Sequence, residues 1–358
     1  MKAGILGLSV AGKSTLFQLL TGTPAPAPGA RPEPRVGVAR VPDPRVGGLA
    51  AIFHPKKSTL ATVEYVDVPG VAKGSGAALV DLPALRGASA FVHVLRGFES
   101  ETVPHPEGSV DPRRDAEMME LELILADHGT VERRLERLEA GIKKARKAED
   151  VAERELFLQL KQALEAERPL RELALSEEER KRLRGYSLLS EKPLLLVLNL
   201  GEAAIRQAAD AALGFGLAQL ASRPRVAVCA VSAPIEAEMA ELPAEDARAF
   251  REDLGLTEPG LDRVIRSTYE LLGLVSFLTA GEDECRAWTI PRGTRAQAAA
   301  GAIHSDIERG FIRAQVVRYD DLLAAGSLAA CRERGTLRLE GRDYEVQDGD
   351  VIEFKFNV

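Results

Sequence analysis

The sequence predicts an α/β protein in which a helical hairpin interrupts a parallel sheet and a small α+β domain follows. Short apolar runs alternate with glycine- and proline-rich turns from Met1 to about Glu99, a pattern typical of buried parallel strands joined by helices. From about Arg113 to Arg184 the chain is rich in Glu, Arg, Lys, Leu and Ala and has no proline before Pro169. Beyond about Phe277, short strand-like segments return.

The composition narrows the class of protein. A chain of 358 residues suffices for two or three domains with buried cores. The net charge of −7 argues against a wholly basic nucleic-acid binder, although a local basic face on one domain stays open. Three scattered cysteines argue against a disulfide scaffold, and no apolar run reaches the roughly 18 residues of a membrane span. We therefore predict a soluble, cytoplasmic protein.

Several strands of the α/β part can be placed from their apolar runs. The proline-rich loop at 21–43 leads into a strand around 36–41. The runs at 193–198 and 225–231 end in Asn199 and Ser232. Because the carboxyl ends of parallel strands meet at one edge of a sheet, we expect these polar residues at that edge.

The charged middle segment predicts an antiparallel, coiled-coil-like helical hairpin. Its apolar residues are spaced 4, 3, 4 and 3 apart, as in a helix that packs against one partner, and a similar stripe follows a polar turn. The charges fit two solvated helix faces better than a specific binding surface. The first stripe consists of Val131, Leu135, Leu138, Ile142 and Ala145, and the second begins with Leu156, Leu160 and Ala163.

The C-terminal segment predicts a separate α+β domain. Near its end, Ile352, Phe354 and Phe356 alternate with Glu353 and Lys355, as in a strand with one buried face. The predicted boundaries are 1–112 and 186–276 for the α/β domain, 113–185 for the hairpin and 277–358 for the last domain.

A phosphate-binding loop is the strongest local signal. The motif G-x-x-x-x-G-K-[ST] lies between the first apolar run and a helical pattern, where backbone N–H groups and a helix N-terminus favour phosphates. In this interpretation Lys13 contacts the β- and γ-phosphates and Ser14 ligates Mg²⁺. The alternative is a glycine-rich turn with an exposed lysine. The predicted nucleotide-binding residues here are Gly7, Ser9, Val10, Ala11, Gly12, Lys13, Ser14 and Thr15.

A second motif, D-x-x-G, follows the predicted strand at 62–66. Asp67 is predicted to hold the metal through its water shell, and the Gly70 N–H to face a γ-phosphate. About fifty residues after a P-loop, this pair of motifs indicates the GTPase-like class. Val71 stands where that class often has a water-orienting glutamine, so hydrolysis needs another group or is slow.

A third element is predicted to contact the base. Where GTPases carry N-K-x-D, this chain reads Asn199-Leu200-Gly201-Glu202, which alters the guanine clamp and weakens selection against adenine. Ser232 and Ala233 are predicted to supply a backbone contact to the base. Alternatively, Asn199 and Glu202 form an ordinary turn at the end of a strand.

Taken together, these motifs resemble the YchF family of ribosome-binding ATPases, within the Obg-like translation-factor P-loop proteins. The resemblance covers nearly the whole chain and rests on GLSVAGKST, VDVPG, NLGE, VSAPIEAEMAEL and the run from TAGEDECRAWTIPRG to DYEVQDGDVIEFKFNV. It implies a C-terminal TGS domain of ubiquitin-like β-grasp shape, hydrolysis of ATP in preference to GTP with Mg²⁺, and ribosomal RNA and protein as partners. It implies no membrane or DNA partner.

The resemblance also assigns a hydrolytic role to a histidine before the hairpin, a place that His105 occupies. A loop histidine flanked by prolines is also a common surface residue. Some loops depart from the family pattern: Ser9-Val10-Ala11 replaces Pro-Asn-Val, and Arg31 stands at the first-switch threonine. Arginine cannot ligate a metal, so Arg31 is either an internal arginine finger or a solvated side chain.

Two functions remain open at this point. One is an ATP-dependent switch whose TGS arginines contact RNA phosphates, and the other is a regulatory module that holds nucleotide with little or no hydrolysis. A metabolic kinase is disfavoured because no second substrate-binding constellation accompanies the motifs.

Overall fold

The computed structural model describes residues 1–24, 33–68, 83–145, 147–210 and 214–357. These residues form two compact units. The first comprises Met1–Val38 and Glu64–Leu271, and the second comprises Ala39–Val63 and Leu272–Val358.

The first unit is built on a sheet with the strand order β2-β4-β1-β5-β6-β7. The pairs β1–β4, β1–β5, β5–β6 and β6–β7 are all parallel, which confirms the predicted α/β class. β5 and β6 are buried along their whole length, which explains their near-continuous apolar sequence. The strands are β1 (Lys2–Leu6), β2 (Arg35–Arg40), β4 (Thr62–Asp67), β5 (Ala90–Gly97), β6 (Leu194–Leu200) and β7 (Val226–Val231).

Helices cover the sheet through apolar residues of the core. The cluster that contains Leu6, Phe91 and Leu198 continues into Met119 and Leu123 of the long helix α4 (Pro112–Lys144). Helices in this unit, outside the hairpin, are α1 (Lys13–Thr21), α3 (Pro83–Gly87), α6 (Glu177–Leu183), α7 (Ala218–Ala221), α8 (Ala233–Glu241), α9 (Ala244–Asp253) and α10 (Gly260–Leu271). Among the described residues of this unit, 3₁₀ segments lie at Leu170–Glu172, Arg184–Tyr186 and Glu202–Asp210.

The predicted hairpin is present as α4 (Pro112–Lys144) and α5 (Ala148–Glu165). Asp111 caps α4, with its side chain accepting a hydrogen bond from the Arg114 N–H. The expected stripe is buried at Val131, Leu135 and Leu138, where it packs against α5. Ala145 differs from the prediction: it is the exposed C-terminal cap of α4, because the chain turns there.

The root of the hairpin is fixed by a buried carboxylate. Asp127 of α4 accepts hydrogen bonds from the N–H groups of Leu189 and Ser190, both at 2.7 Å, and from the Ser190 Oγ at 2.6 Å. Burial raises the pKa of Asp127 to about 6, although these hydrogen bonds oppose the shift. The hairpin is therefore anchored by hydrogen bonds as well as by apolar packing.

The second unit contains a mixed sheet with the order β11-β10-β12-β8-β9-β3. Its core gathers Phe277, Val316 and Ile352 with the alanines of α11. The strands are β3 (Lys57–Thr59), β8 (Leu274–Thr279), β9 (Glu284–Pro291), β10 (Phe311–Arg318), β11 (Arg338–Glu340) and β12 (Asp350–Phe356). The helices are α2 (Pro44–Phe53), α11 (Ala296–Gly301), α12 (Ser305–Arg309), α13 (Tyr319–Ala325) and α14 (Leu328–Glu333).

The division into units differs from the boundaries that the sequence predicts. The hairpin at 113–185 groups with the first unit, and the C-terminal part begins at Leu272 rather than at residue 277. Residues 39–63, predicted within the α/β domain, group with the C-terminal residues. The reason is strand pairing: β3 adds to the edge of the C-terminal sheet, with Ser58 opposite Cys285. An edge strand of three residues carries too little periodicity to reveal such a partner.

In the part of the chain that the structure describes, no helix combines the length and the apolar character that a membrane span requires.

Candidate functional site

The candidate site lies at the carboxyl edge of the first sheet, around the loop between β1 and α1. Gly7 has φ 144° and Gly12, the N-terminal cap of α1, has φ 94°. A Cβ on Gly7 would lie 2.5 Å from the Val94 carbonyl oxygen, and one on Gly12 would overlap the Asn199 amide. Both glycines of the motif are thus required by close approach as well as by their backbone angles.

Val10 belongs to this loop and is exposed. Its φ of 59° is in the left-handed region, which a β-branched residue rarely adopts. Ser9, Ser14 and Thr15 are also exposed, whereas Ala11 is buried. The loop and the first turn of α1 therefore expose polar side chains beside a strained backbone position, as is common at ligand-binding sites.

Lys13 begins α1 and folds back over the loop. Its Nζ donates a 2.6 Å hydrogen bond to the Leu8 carbonyl oxygen, and its side chain is buried. Burial lowers the pKa of Lys13 to about 8, and the Asp67 carboxylate opposes this shift. A phosphate bound here would stabilise the charged form of Lys13, which burial disfavours by removing water from the ammonium.

Ser14 and Asp67 are brought together from α1 and the end of β4. The Ser14 Oγ donates to the Asp67 Oδ2 at 3.2 Å. The Asp67 Oδ1 is buried and has no hydrogen-bond partner among the described residues. An unpartnered carboxylate oxygen beside a serine hydroxyl fits Mg²⁺, which typically takes one or two protein ligands plus water and phosphate. In the described segments, no group of three or more His, Cys, Asp or Glu is placed to hold a metal ion.

Asn199 joins two loops of the site. Its Nδ2 donates to the Ala11 carbonyl oxygen at 3.1 Å, and its Oδ1 accepts from the Ala233 N–H at 3.1 Å. The Ala233 N–H, which the sequence predicted to contact the base, is therefore already engaged. Ser232 is buried, and its Oγ has no hydrogen-bond partner in the described chain.

The other two residues of the predicted base-contacting element differ in exposure. Leu200 is fully buried in the core, so its side chain is not available to a ligand. Glu202 is exposed and begins a 3₁₀ segment. Of this pair, only Glu202 presents a polar side chain at the surface.

His105 is buried in the loop before α4, contrary to the alternative of a surface histidine. Its Nδ1 accepts a hydrogen bond from the Glu107 N–H at 3.1 Å, and its Nε2 lies 3.0 Å from the Asp115 Oδ2. This pattern assigns the proton of the neutral ring to Nε2. Both ring nitrogens are thus engaged by the histidine's own loop and by α4, and neither of these hydrogen bonds reaches the P-loop.

Two residues of the site were not predicted from the sequence. His93 of β5 is fully buried beneath the P-loop, and neither ring nitrogen has a hydrogen-bond partner within the described ranges. Burial, followed by the nearby Lys13 charge, lowers the pKa of His93 to about 3. Arg35, the first residue of β2, forms an ion pair with Asp67, in which the Arg35 Nη2 lies 2.5 Å from the Asp67 Oδ2. A lone histidine in an apolar run was a usable signal for His93, but nothing local pointed to Arg35.

Gly70, Val71 and Arg31 lie outside the described residues, so the predictions made for them remain predictions.

Comparisons with known proteins agree with this architecture. A family model described as YchF-GTPase_C, a protein of unknown function (DUF933), matches residues 274–357. In an alignment 365 positions long, the chain is 42% identical to the ribosome-binding ATPase YchF of Bacillus subtilis, and the match covers all of both chains. The chain belongs to the YchF family. It is also 41% identical to the Escherichia coli O157:H7 ribosome-binding ATPase YchF, with 100% of this chain and 99% of that protein covered.

A solved structure extends the YchF relationship to three dimensions. The Schizosaccharomyces pombe YchF GTPase superposes with a TM-score of 0.86 at 29% identity, covering 99% of this chain and 97% of that one. The resemblance stated from the motifs, the P-loop parallel-sheet fold, the helical insertion and the C-terminal β domain are thereby confirmed.

Proposed function

We propose that this YchF-family chain binds and hydrolyses ATP with Mg²⁺ and acts as a nucleotide-dependent switch that associates with the ribosome. The observation that carries the proposal is the Lys13, Ser14 and Asp67 cluster beneath a glycine-capped loop. The relatives named as ribosome-binding ATPases support the choice of nucleotide and partner.

In this proposal the P-loop holds the phosphates. The N–H groups between Gly7 and Thr15 face them, and the Lys13 ammonium leaves the Leu8 carbonyl to pair with the β- and γ-phosphates. Ser14 and Asp67 hold the cation, which neutralises phosphate charge when bound. Gly70 is assigned to the γ-phosphate from its motif alone.

The base lies, in the same proposal, near Asn199 and Glu202. Asn199 acts indirectly, because both ends of its amide already tie the P-loop to the Ser232–Ala233 loop. The exposed Glu202 replaces the aspartate of a guanine clamp and is one carbon longer, which supports a weakened selection against adenine. The relatives named as ATPases support ATP as the favoured nucleotide.

Hydrolysis is assigned to His105, since Val71 cannot orient water. A neutral histidine with Nδ1 accepting and Nε2 donating can position water only if one of these hydrogen bonds is exchanged. This engagement favours a second candidate, a module that holds nucleotide and turns it over little without its partner. Single-turnover ATP hydrolysis with and without ribosomes distinguishes the two: stimulation supports the switch, and none supports the static module.

The decisive variant is Lys13→Ala, with Lys56→Ala as the control. Lys56 is also a paired lysine, but its side chain is 82% exposed and belongs to the second unit. Competition of unlabelled ATP and GTP against a fluorescent ATP analogue at fixed Mg²⁺ measures both affinity and base preference. We expect at least a tenfold loss of ATP affinity in Lys13→Ala, as for a lost charge-assisted contact, and none in Lys56→Ala. Unchanged affinity in Lys13→Ala would refute the P-loop assignment.

A further inference from the structure

The Arg35 side chain contacts three groups at once: a carboxylate of the candidate site, a backbone carbonyl and an aromatic ring. Its Nη2 lies 2.5 Å from the Asp67 Oδ2, and its Nη1 donates to the Pro24 carbonyl oxygen at 3.1 Å. Its guanidinium carbon lies 4.7 Å from the centre of the Phe17 ring. The side chains of Arg35 and Asp67 are only 18% and 8% exposed, so this ion pair is far less screened by water than a surface pair.

The oxygen that Arg35 contacts is also the acceptor for the Ser14 hydroxyl. Ser14 and Asp67 are the two residues proposed above to hold Mg²⁺. A guanidinium cannot ligate a metal, and its positive charge repels a divalent cation placed on the same carboxylate. Arg35 and Mg²⁺ therefore compete for Asp67.

We propose that Arg35 is a positioning residue that serves as the counter-cation of Asp67 until Mg²⁺ arrives with the nucleotide. Asp67 alone then has little affinity for the free cation, because its charge is already neutralised. The phosphates supply the additional negative charge that lets Mg²⁺ displace the guanidinium. Because Arg35 also holds the Pro24 carbonyl, its release couples metal binding to the chain that follows α1.

This inference rests on the proposed function but makes a separate prediction about the metal. The role differs from that of an arginine finger, in which the guanidinium contacts the transferred phosphate and its loss weakens nucleotide binding or turnover. A counter-cation has the opposite effect, since its loss makes metal binding easier.

The test uses the full chain and the variants Arg35→Ala, Arg35→Lys and Arg40→Ala. Arg40 lies on the same strand and is exposed, which makes it the matched control. The first readout is binding of Mn²⁺, a paramagnetic stand-in for Mg²⁺, to the nucleotide-free protein by electron paramagnetic resonance. The second is the Mg²⁺ concentration that gives half-maximal binding of a fluorescent ATP analogue.

Arg35→Ala is expected to bind Mn²⁺ without nucleotide about tenfold more tightly than the unchanged protein, and to lower the Mg²⁺ midpoint by a similar factor, as for one lost charge-assisted contact. Adding Asp67→Asn should abolish the gain. Arg35→Lys keeps the charge and should stay near the unchanged protein. A fourth variant, Arg35→Gln, removes the charge but keeps a long polar side chain; it should show the same gain as Arg35→Ala and replaces it if the alanine variant folds poorly. Arg40→Ala should change neither readout.

Unchanged Mn²⁺ binding and an unchanged Mg²⁺ midpoint in Arg35→Ala would overturn the proposal. So would weaker nucleotide binding at saturating Mg²⁺, which would make Arg35 a phosphate ligand instead. If no variant binds the nucleotide analogue but Arg35→Ala gains Mn²⁺ through Asp67, the proposed function fails while the competition at Asp67 stands.

Discussion

His93 illustrates how a single buried side chain couples the P-loop to the sheet. It pairs in register with Leu6, the last residue of β1, and its ring lies where a Cβ on Gly7 would approach it to 3.3 Å. The ring thus fills the space directly beneath the first glycine of the loop. It does so as a neutral group, because burial next to Lys13 disfavours its protonated form.

This burial predicts an acid-sensitive stability. In the unfolded chain His93 takes up a proton near pH 6.5, whereas in the folded protein its pKa is about 3. The unfolded state therefore binds more protons between these values, and stability falls as the pH drops from about 6.5 towards 3. His93→Leu should lose less stability than the unchanged protein between pH 7 and pH 5, as measured by the urea midpoint.

The control for this experiment is His304→Asn, because His304 is 62% exposed and asparagine keeps its capping acceptor for the Asp306 N–H. It should follow the unchanged protein at each pH. Equal pH slopes for His93→Leu and the unchanged protein would contradict the predicted role.

At the scale of elements, the sequence predicts the apolar face of the hairpin but not the buried aspartate that fixes its root. The apolar spacing of Val131, Leu135 and Leu138 identified the buried face of α4 because helical periodicity is local. Asp127 on the same helix gave no such signal. Its partners lie 62 and 63 residues away, and an aspartate in a charged helix is indistinguishable from a solvated one until the fold brings them together.

Asp127→Ala should therefore destabilise the protein strongly. It leaves the buried N–H groups of Leu189 and Ser190 without their acceptor, which costs about 1–3 kcal/mol for each unsatisfied group. The free energy of unfolding in urea, followed by circular dichroism, measures the loss. Glu136→Ala, an exposed site on the same helix, is the control and should stay within about 0.5 kcal/mol of the unchanged protein. A similar small effect for Asp127→Ala would mean that the anchor does not stabilise the hairpin.

At the scale of the whole molecule, the second unit takes strand β3 and helix α2 from a distant part of the chain. Val46 and Leu49 of α2 are 2% and 0% exposed. Within this unit α2 contacts β9 and α13. The C-terminal family segment at 274–357 is therefore incomplete by itself, although its sequence reads as a separate domain.

Cutting the chain after Leu271 tests this composition. The fragment 1–271 keeps α2 but loses β9 and α13, the elements that α2 contacts within this unit. We expect Val46 and Leu49 to become exposed there, at a cost of roughly 1.5–3 kcal/mol for each side chain. We expect the fragment to bind an apolar dye such as ANS more strongly than the full chain does. The matched fragment with Val46→Ser and Leu49→Ser should bind less dye. Equal dye binding by the first fragment and the full chain would contradict the assignment of 39–63 to the second unit.

The sequence by itself determined the P-loop, the placement of Asp67 and Asn199 at or next to the carboxyl ends of their strands, and the two helices of the hairpin. These features depend on contiguous motifs or on periodicity within a few turns, where neighbouring residues set the backbone. The tertiary structure alone decided that Arg35 lies on Asp67, that Asn199 ties two loops together, and that β3 joins β9. Each of these contacts joins residues at least 32 positions apart, and such pairs are fixed by the packing of the whole chain rather than by local sequence.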